Sequence, residues 1–158
     1  MDTPGEPQDG IVGPSADPRD AAGAPPPIDL VIETRADPET AWRTLTEPDR
    51  VVLWFTDVSP LGPVGSPYRL DFGEGSIVAG HVVGLEPRRT FAHTWAWEDA
   101  GPGQPTTVAW TIEPLTGGGC RIRLVHAGWS EGDEAARDDH EAYWTGYLDD
   151  LSDILEEA

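Results

Sequence analysis

Between Glu134 and Glu157, Tyr143, Tyr147, Leu148, Leu151, Ile154 and Leu155 recur at three- and four-residue spacing, and Asp149, Asp150, Asp153, Glu156 and Glu157 fall opposite them. That period predicts one long amphipathic helix. Such a helix does not stand alone, because most of its stability comes from burying the apolar stripe against a partner. The extensive partner this sequence offers is a run of strand-like segments between Pro67 and Ala127. The expected fold is α+β: a curved antiparallel sheet wrapped around a long C-terminal helix, with space for an apolar ligand between them.

The strands are read from alternation. Phe91, His93, Trp95 and Trp97 share one face opposite Thr90, Ala92, Thr94 and Ala96. Val108, Trp110 and Ile112 lie opposite Thr107, Ala109, Thr111 and Glu113, and Cys120, Ile122, Leu124 and His126 lie opposite Arg121, Arg123 and Val125. Each segment has a bulky inner face and a mostly small or polar outer one. Gly117-Gly118-Gly119 predicts a hairpin and Gly101-Pro102-Gly103 a longer connection. Upstream, Tyr68, Leu70 and Phe72 alternate in a strand that turns through Gly73-Glu74-Gly75-Ser76 into a strand from Ile77 to Leu85, where Gly80 and Gly84 mark bends or bulges.

Ile28, Leu30 and Ile32 predict the first strand, and two short helices follow it. Asp37-Pro38-Glu39 has a capping acid, a proline suited to the first helical position and a carboxylate at the positive end of the helix dipole. Thr46 and Asp49 bracket Glu47-Pro48 as a second, capping-box-like start. Residues 1–27 hold seven of the sixteen prolines and no periodic apolar pattern, so a disordered tail is expected there and a single domain over 28–158.

Composition excludes several partners. The formal net charge is −19 and all ten basic residues are arginine, which disfavours nucleic acid and anionic membrane surfaces alike. From Ser130 onward eleven acids face the single Arg137. A solvated helix face accounts for them, and a docking face for a basic protein partner is the alternative. The lone Cys120 excludes an internal disulfide and alternates with apolar residues, as a buried, inert thiol does. With no early Lys or Arg and no apolar run of signal or membrane length, a cytoplasmic location is expected.

In this order the elements resemble the helix-grip fold of the START-like (SRPBCC) superfamily, which includes birch-pollen allergen relatives and aromatic polyketide cyclases. The resemblance is closest to proteins like the activator of heat-shock-protein ATPase homologue. It rests on Ala36-Asp37-Pro38-Glu39 with Trp42 and Leu45-Thr46-Glu47-Pro48, on Trp54-Phe55, and on Gly80-His81-Val82-Val83 running into Glu86-Pro87-Arg88-Arg89. Thr94-Trp95, the stretch from Thr107 to Pro114, Val125-His126-Ala127-Gly128-Trp129 and Tyr143-Trp144-Thr145-Gly146-Tyr147-Leu148 complete it. Two departures stand out: Gly65-Ser66-Pro67 replaces the usual Gly-Gly turn, and Tyr143-Trp144 replaces the usual Gly-Trp of the last helix.

Under that fold Trp54, Trp95, Trp97, Trp110, Trp129 and Trp144 map to the grip interior or its mouth, with Phe55 and Phe72 beside them. Indole faces suit flat apolar or aromatic ligands, and their N–H groups are available to orient a polar handle. The competing reading is that the rings simply fill the core. His93 and His126 point inward and His140 lies one turn before Trp144, so imidazole acid–base catalysis of the polyketide-cyclase kind is a second reading. His81 is a weaker candidate for the same wall. A metal is not expected, since the histidines form no close ligand pair such as an i, i+4 motif, and no cofactor is implied. ATPase activation, a third reading, follows from the resemblance alone.

Overall fold

A computed structural model describes residues 23–100 and 105–157. Residues 1–22 of the expected tail and the 101–103 connection lie outside the described residues. The chain runs β1 (Ile28–Thr34), α1 (Pro38–Thr46), α2 (Pro48–Val51), β2 (Asp57–Val58), β3 (Pro67–Asp71), β4 (Ile77–Glu86), β5 (Thr90–Trp97), β6 (Thr106–Pro114), β7 (Cys120–Ala127) and α3 (Glu134–Glu156). Seven strands form one antiparallel sheet in the order β1-β7-β6-β5-β4-β3-β2, so the first strand closes against the last and the rest is a meander. The sheet curls as a half-barrel around α3, which is the α+β helix-grip arrangement expected from the sequence.

Curvature has a local origin. The β4–β5 register slips by one residue between Val82 and Gly84, a bulge that bends the strand. Two residues earlier, a Cβ on Gly80 would sit 2.1 Å from the Thr94 carbonyl oxygen, so β4 and β5 approach more closely than any side chain permits. Sequence reading had placed a bend at both glycines, and each has its own cause.

Asp37 caps α1 by accepting a hydrogen bond from the Thr40 amide at 2.7 Å. Thr46 does not cap α2. Its hydroxyl donates to the Trp42 carbonyl one turn back (2.7 Å), and Glu47 takes the cap position without a side-chain bond. The two-residue β2 was not foreseen, because two residues carry no period.

In α3 the buried stripe is Trp144, Leu148, Leu151 and Leu155, a clean three- and four-residue series. Tyr143, expected on that stripe, is 63% exposed, and Trp144 takes the buried place. Leu148, Leu151 and Leu155 are buried as the spacing predicts, so only the first position of the stripe differs. Asp149, Asp150, Asp153, Glu156 and Glu157 are exposed. Arg137 is the exception to that acidic surface: its guanidinium donates to the carbonyls of Pro26 (3.0 Å) and Pro27 (3.1 Å) and pairs with Glu141. The approach to β1 is thereby tied to the start of α3. Among the described residues no helix is long and apolar enough to cross a membrane.

Candidate functional site

The inner sheet face and α3 do not close completely over their length. Near the β3–β4 turn they leave a cavity of about 600 Å³ lined by Phe55, Phe72, Gly73, Glu74, Ser76, Trp95, Trp97, His140, Tyr143, Trp144 and Tyr147. Its floor is deep, with Trp144 only 2% and Trp95 5% exposed, while Glu74 and Tyr143 stand at an exposed rim. Volumes of ~300–1,000 Å³ are usual for sites that enclose a small organic molecule.

Phe55 organises one wall. It leaves α2 with its ring 4.8 Å from Tyr147, 5.2 Å from Trp144 and 5.5 Å from Phe72, each at a tilted or edge-to-face angle. Such angles set positive ring edges against negative faces. Phe72 continues the wall to Trp97 (5.3 Å), and Trp97 meets Trp95 edge to face at 5.9 Å.

Six of the eleven residues expected at a ligand site line the cavity: Phe55, Phe72, Trp95, Trp97, His140 and Trp144. Trp54, His93, Trp110, His126 and Trp129 do not. Trp110 is buried beneath Trp54 and Trp144, at 5.8 Å from each and nearly perpendicular to both. His93 is buried 4.6 Å from the Tyr68 ring, and its Nδ1 donates to the Thr94 carbonyl at 3.0 Å. His81 is on the outer face, exposed, with Nδ1 3.4 Å from the Thr94 hydroxyl. The sequence reading did not assign Gly73, Glu74, Ser76, Tyr143 and Tyr147 to the site. Tyr143 and Tyr147 carried a signal, an i, i+4 aromatic pair on the covering helix; the turn residues carried none.

Five indole N–H groups, those of Trp54, Trp95, Trp97, Trp129 and Trp144, are engaged inside the protein and not available for a ligand, contrary to the sequence expectation. Trp95 and Trp97 both donate to His140 Nε2, at 3.3 and 3.0 Å. Trp144 donates to His126 Nδ1 (3.0 Å), Trp54 to the Thr44 carbonyl (2.9 Å) and Trp129 to the His126 carbonyl (3.0 Å). An indole can only donate, so these bonds fix the imidazole tautomers. His126 keeps Nδ1 bare and donates from Nε2 to the Thr106 hydroxyl at 2.7 Å, which in turn donates to the Trp95 carbonyl at 3.3 Å. His140 keeps Nε2 bare and donates from Nδ1 to the Ala136 carbonyl at 2.7 Å. The His126 ring is uncharged in this arrangement.

Burial reinforces neutrality. It pushes His126 down to about 3, helped by the nearby imidazoles of His140 and His93, and pushes His93 down to about 4 against the opposing pull of the Thr94 carbonyl. Burial likewise raises the Tyr68 phenol and, with the Asp37 charge, the Cys120 thiol. Cys120 is fully buried and donates to the Ala36 carbonyl at 3.4 Å, as expected of an inert thiol. No cluster of metal-ligating side chains occurs among the described residues.

Comparison with known proteins adds the lineage. No curated protein sequence matches the chain. Among solved structures, protein MLL2253 from Mesorhizobium loti superposes with a TM-score of 0.77 at 21% identity, covering 84% of this chain and 98% of that one. The Aha1 dimer from Colwellia psychrerythraea gives 0.69 at 27% identity, over 84% and 97%. CalU16 from Micromonospora echinospora gives 0.68 at 22%, over 82% and 75%. Residues 35–156 match the sequence profile of the activator of Hsp90 ATPase homolog 1-like proteins. That match takes in every element from α1 through α3, and the chain belongs to this family.

Proposed function

We propose that the protein is a binding module for a small apolar or aromatic ligand held between the sheet and α3. The observation that carries the reading is the 600 Å³ cavity, walled by seven aromatic side chains and opening beside the covering helix. A core that needed only filling gains nothing from leaving such a space, since each wall ring forfeits its dispersion contacts on that side. The acidic outer face of α3 is read as a solvated surface.

The hydrogen bonding weighs against imidazole catalysis. His126 has both ring nitrogens engaged inside the protein, as does His140, and neither His93 nor His126 lines the cavity. A general base needs a free lone pair within reach of the proton it takes.

Native mass spectrometry beside the denatured mass of the same sample tests the binding reading. The expected result is a noncovalent adduct of a few hundred daltons, either carried from expression or acquired from an aromatic probe set. Tyr147→Ala, which removes one wall without touching the histidine bonds, is expected to weaken it. A bare mass after incubation with the whole set, with no change in tryptophan fluorescence, refutes the reading.

A further inference from the structure

We infer that the occupant of this cavity is an organic cation, an apolar amine that is quaternary or protonated; the inference rests on the binding reading above. Four observations converge on it.

The first is the inventory of the lining. It offers π faces from Phe55, Phe72, Trp95, Trp97, Tyr143 and Tyr147, and its one charged side chain is Glu74. No arginine lines it, and the chain has no lysine. A ring of aromatic faces with a carboxylate at the rim is the chemistry that holds alkylated ammonium groups.

The second is the commitment of the donors. A carboxylate or ketone ligand is held by N–H or O–H groups pointed at it, and the indole N–H groups of Trp95, Trp97 and Trp144 are bound to His140 and His126, which leaves the Ser76, Tyr143 and Tyr147 hydroxyls as the neutral side-chain donors of the lining. The Nε2 of His140 is taken up by the Trp95 and Trp97 indoles, so it offers a ligand no donor.

The third is backbone strain at the rim. Glu74 has φ 54, between Gly73 at 91 and Gly75 at 83. The left-handed region suits glycine and disfavours a side chain, so this tight turn would accept glycine in the middle as readily as at its flanks. A glutamate held there against that preference, at the mouth of a cavity, fits a role for its carboxylate.

The fourth is the field. Two acids of α3 stand beside lining residues: Asp139 lies one turn before Tyr143, and Asp150 is close enough to Tyr147 to add to the burial that raises its phenol. That field draws cations and repels anions.

The test uses three soluble probes of similar size on the full chain: (3-hydroxyphenyl)trimethylammonium, its neutral isostere 3-tert-butylphenol, and 3-hydroxybenzoate. Binding is read from the indole N–H and tyrosine ring NMR signals of Trp95, Trp97 and Tyr147. The expected order is cation, neutral, anion, with the cation about tenfold tighter than the neutral isostere, or about 1.4 kcal/mol. Glu74→Gln, on an exposed turn, is expected to weaken the cation about threefold and leave the neutral probe unchanged. A neutral probe that binds as tightly as the cation, or a cation preference indifferent to Glu74→Gln and to salt, overturns the charge selection and leaves the cavity reading standing. Signals that move for none of the probes overturn both.

Discussion

His126 offers a sharp quantitative test, because it is fully buried, neutral, and bonded at both nitrogens to groups that fix its tautomer. The perturbation is acidification from pH 7.5 to 4.5. In the unfolded chain the imidazole takes up a proton near 6.5, whereas in the folded protein it does so only near 3. Between those values the unfolded state binds more protons, so stability rises with pH across the window and is lost on the way down. At pH 4.5 the unfolded group is two units below its midpoint and the folded group is still unprotonated, which makes the loss about 3 kcal/mol. Protonation of carboxylates on this acidic chain relieves self-repulsion and acts in the opposite direction, so the wild type alone does not isolate the effect. His126→Gln retains one acceptor for Trp144 and one donor for Thr106 but cannot titrate. Urea unfolding followed by circular dichroism at both pH values is expected to show the wild type losing about 3 kcal/mol more than the variant. Equal losses in the two proteins, or an NMR titration of His126 near its ordinary value, refute the reasoning.

Other substitutions probe other parts of the fold. Gly80→Ala drives a methyl against the Thr94 backbone and is expected to lower Tm by about 10 °C, equivalent to about 3 kcal/mol, while Gly84→Ala, whose Cβ meets Ala92 at an ordinary 3.7 Å, changes little; equal effects would contradict the close approach of β4 and β5. Thr106→Val leaves the His126 Nε2–H buried without an acceptor and is expected to cost about 1–3 kcal/mol in urea unfolding. Glu74→Gly relieves the left-handed strain and is expected to keep or slightly raise stability, by less than about 1 kcal/mol, while reducing affinity for the ammonium probe; a marked loss of stability would assign Glu74 to the turn. The Cys120 thiol is expected to react with a disulfide reagent only as fast as the protein opens, and immediate reaction in the folded state would contradict its burial.

How much of this was legible in the sequence depends on which property is asked for. The strands β5, β6 and β7 and the helix α3 were readable because their periods repeat over eight or more residues, and the register follows from which face must be buried. Which of Tyr143 and Trp144 joins the buried stripe was not, since adjacent aromatics compete for one place and contacts across the sheet decide between them. Period two assigns Trp95, Trp97 and Trp110 to the inner face but says nothing of depth. Trp110 lies in β6 under two other rings, and Trp97 lies at the end of β5, where it meets His140 of α3 at the cavity wall. The direction of the indole N–H groups was beyond reach for the same reason: each depends on where an imidazole from another element arrives. Glu74 was read only as part of a turn, because a left-handed φ at a glutamate leaves no mark in composition.

Arg137 has a practical consequence. Its two bonds to Pro26 and Pro27 anchor the incoming chain one helical turn from His140, which lines the cavity. A fluorophore attached at Ala24 would therefore start from a fixed bearing close to the binding space, near enough to exchange energy with Trp95 and Trp97. Filling the cavity becomes readable as colour, and Arg137→Ala is the way to release the tether and switch that readout off.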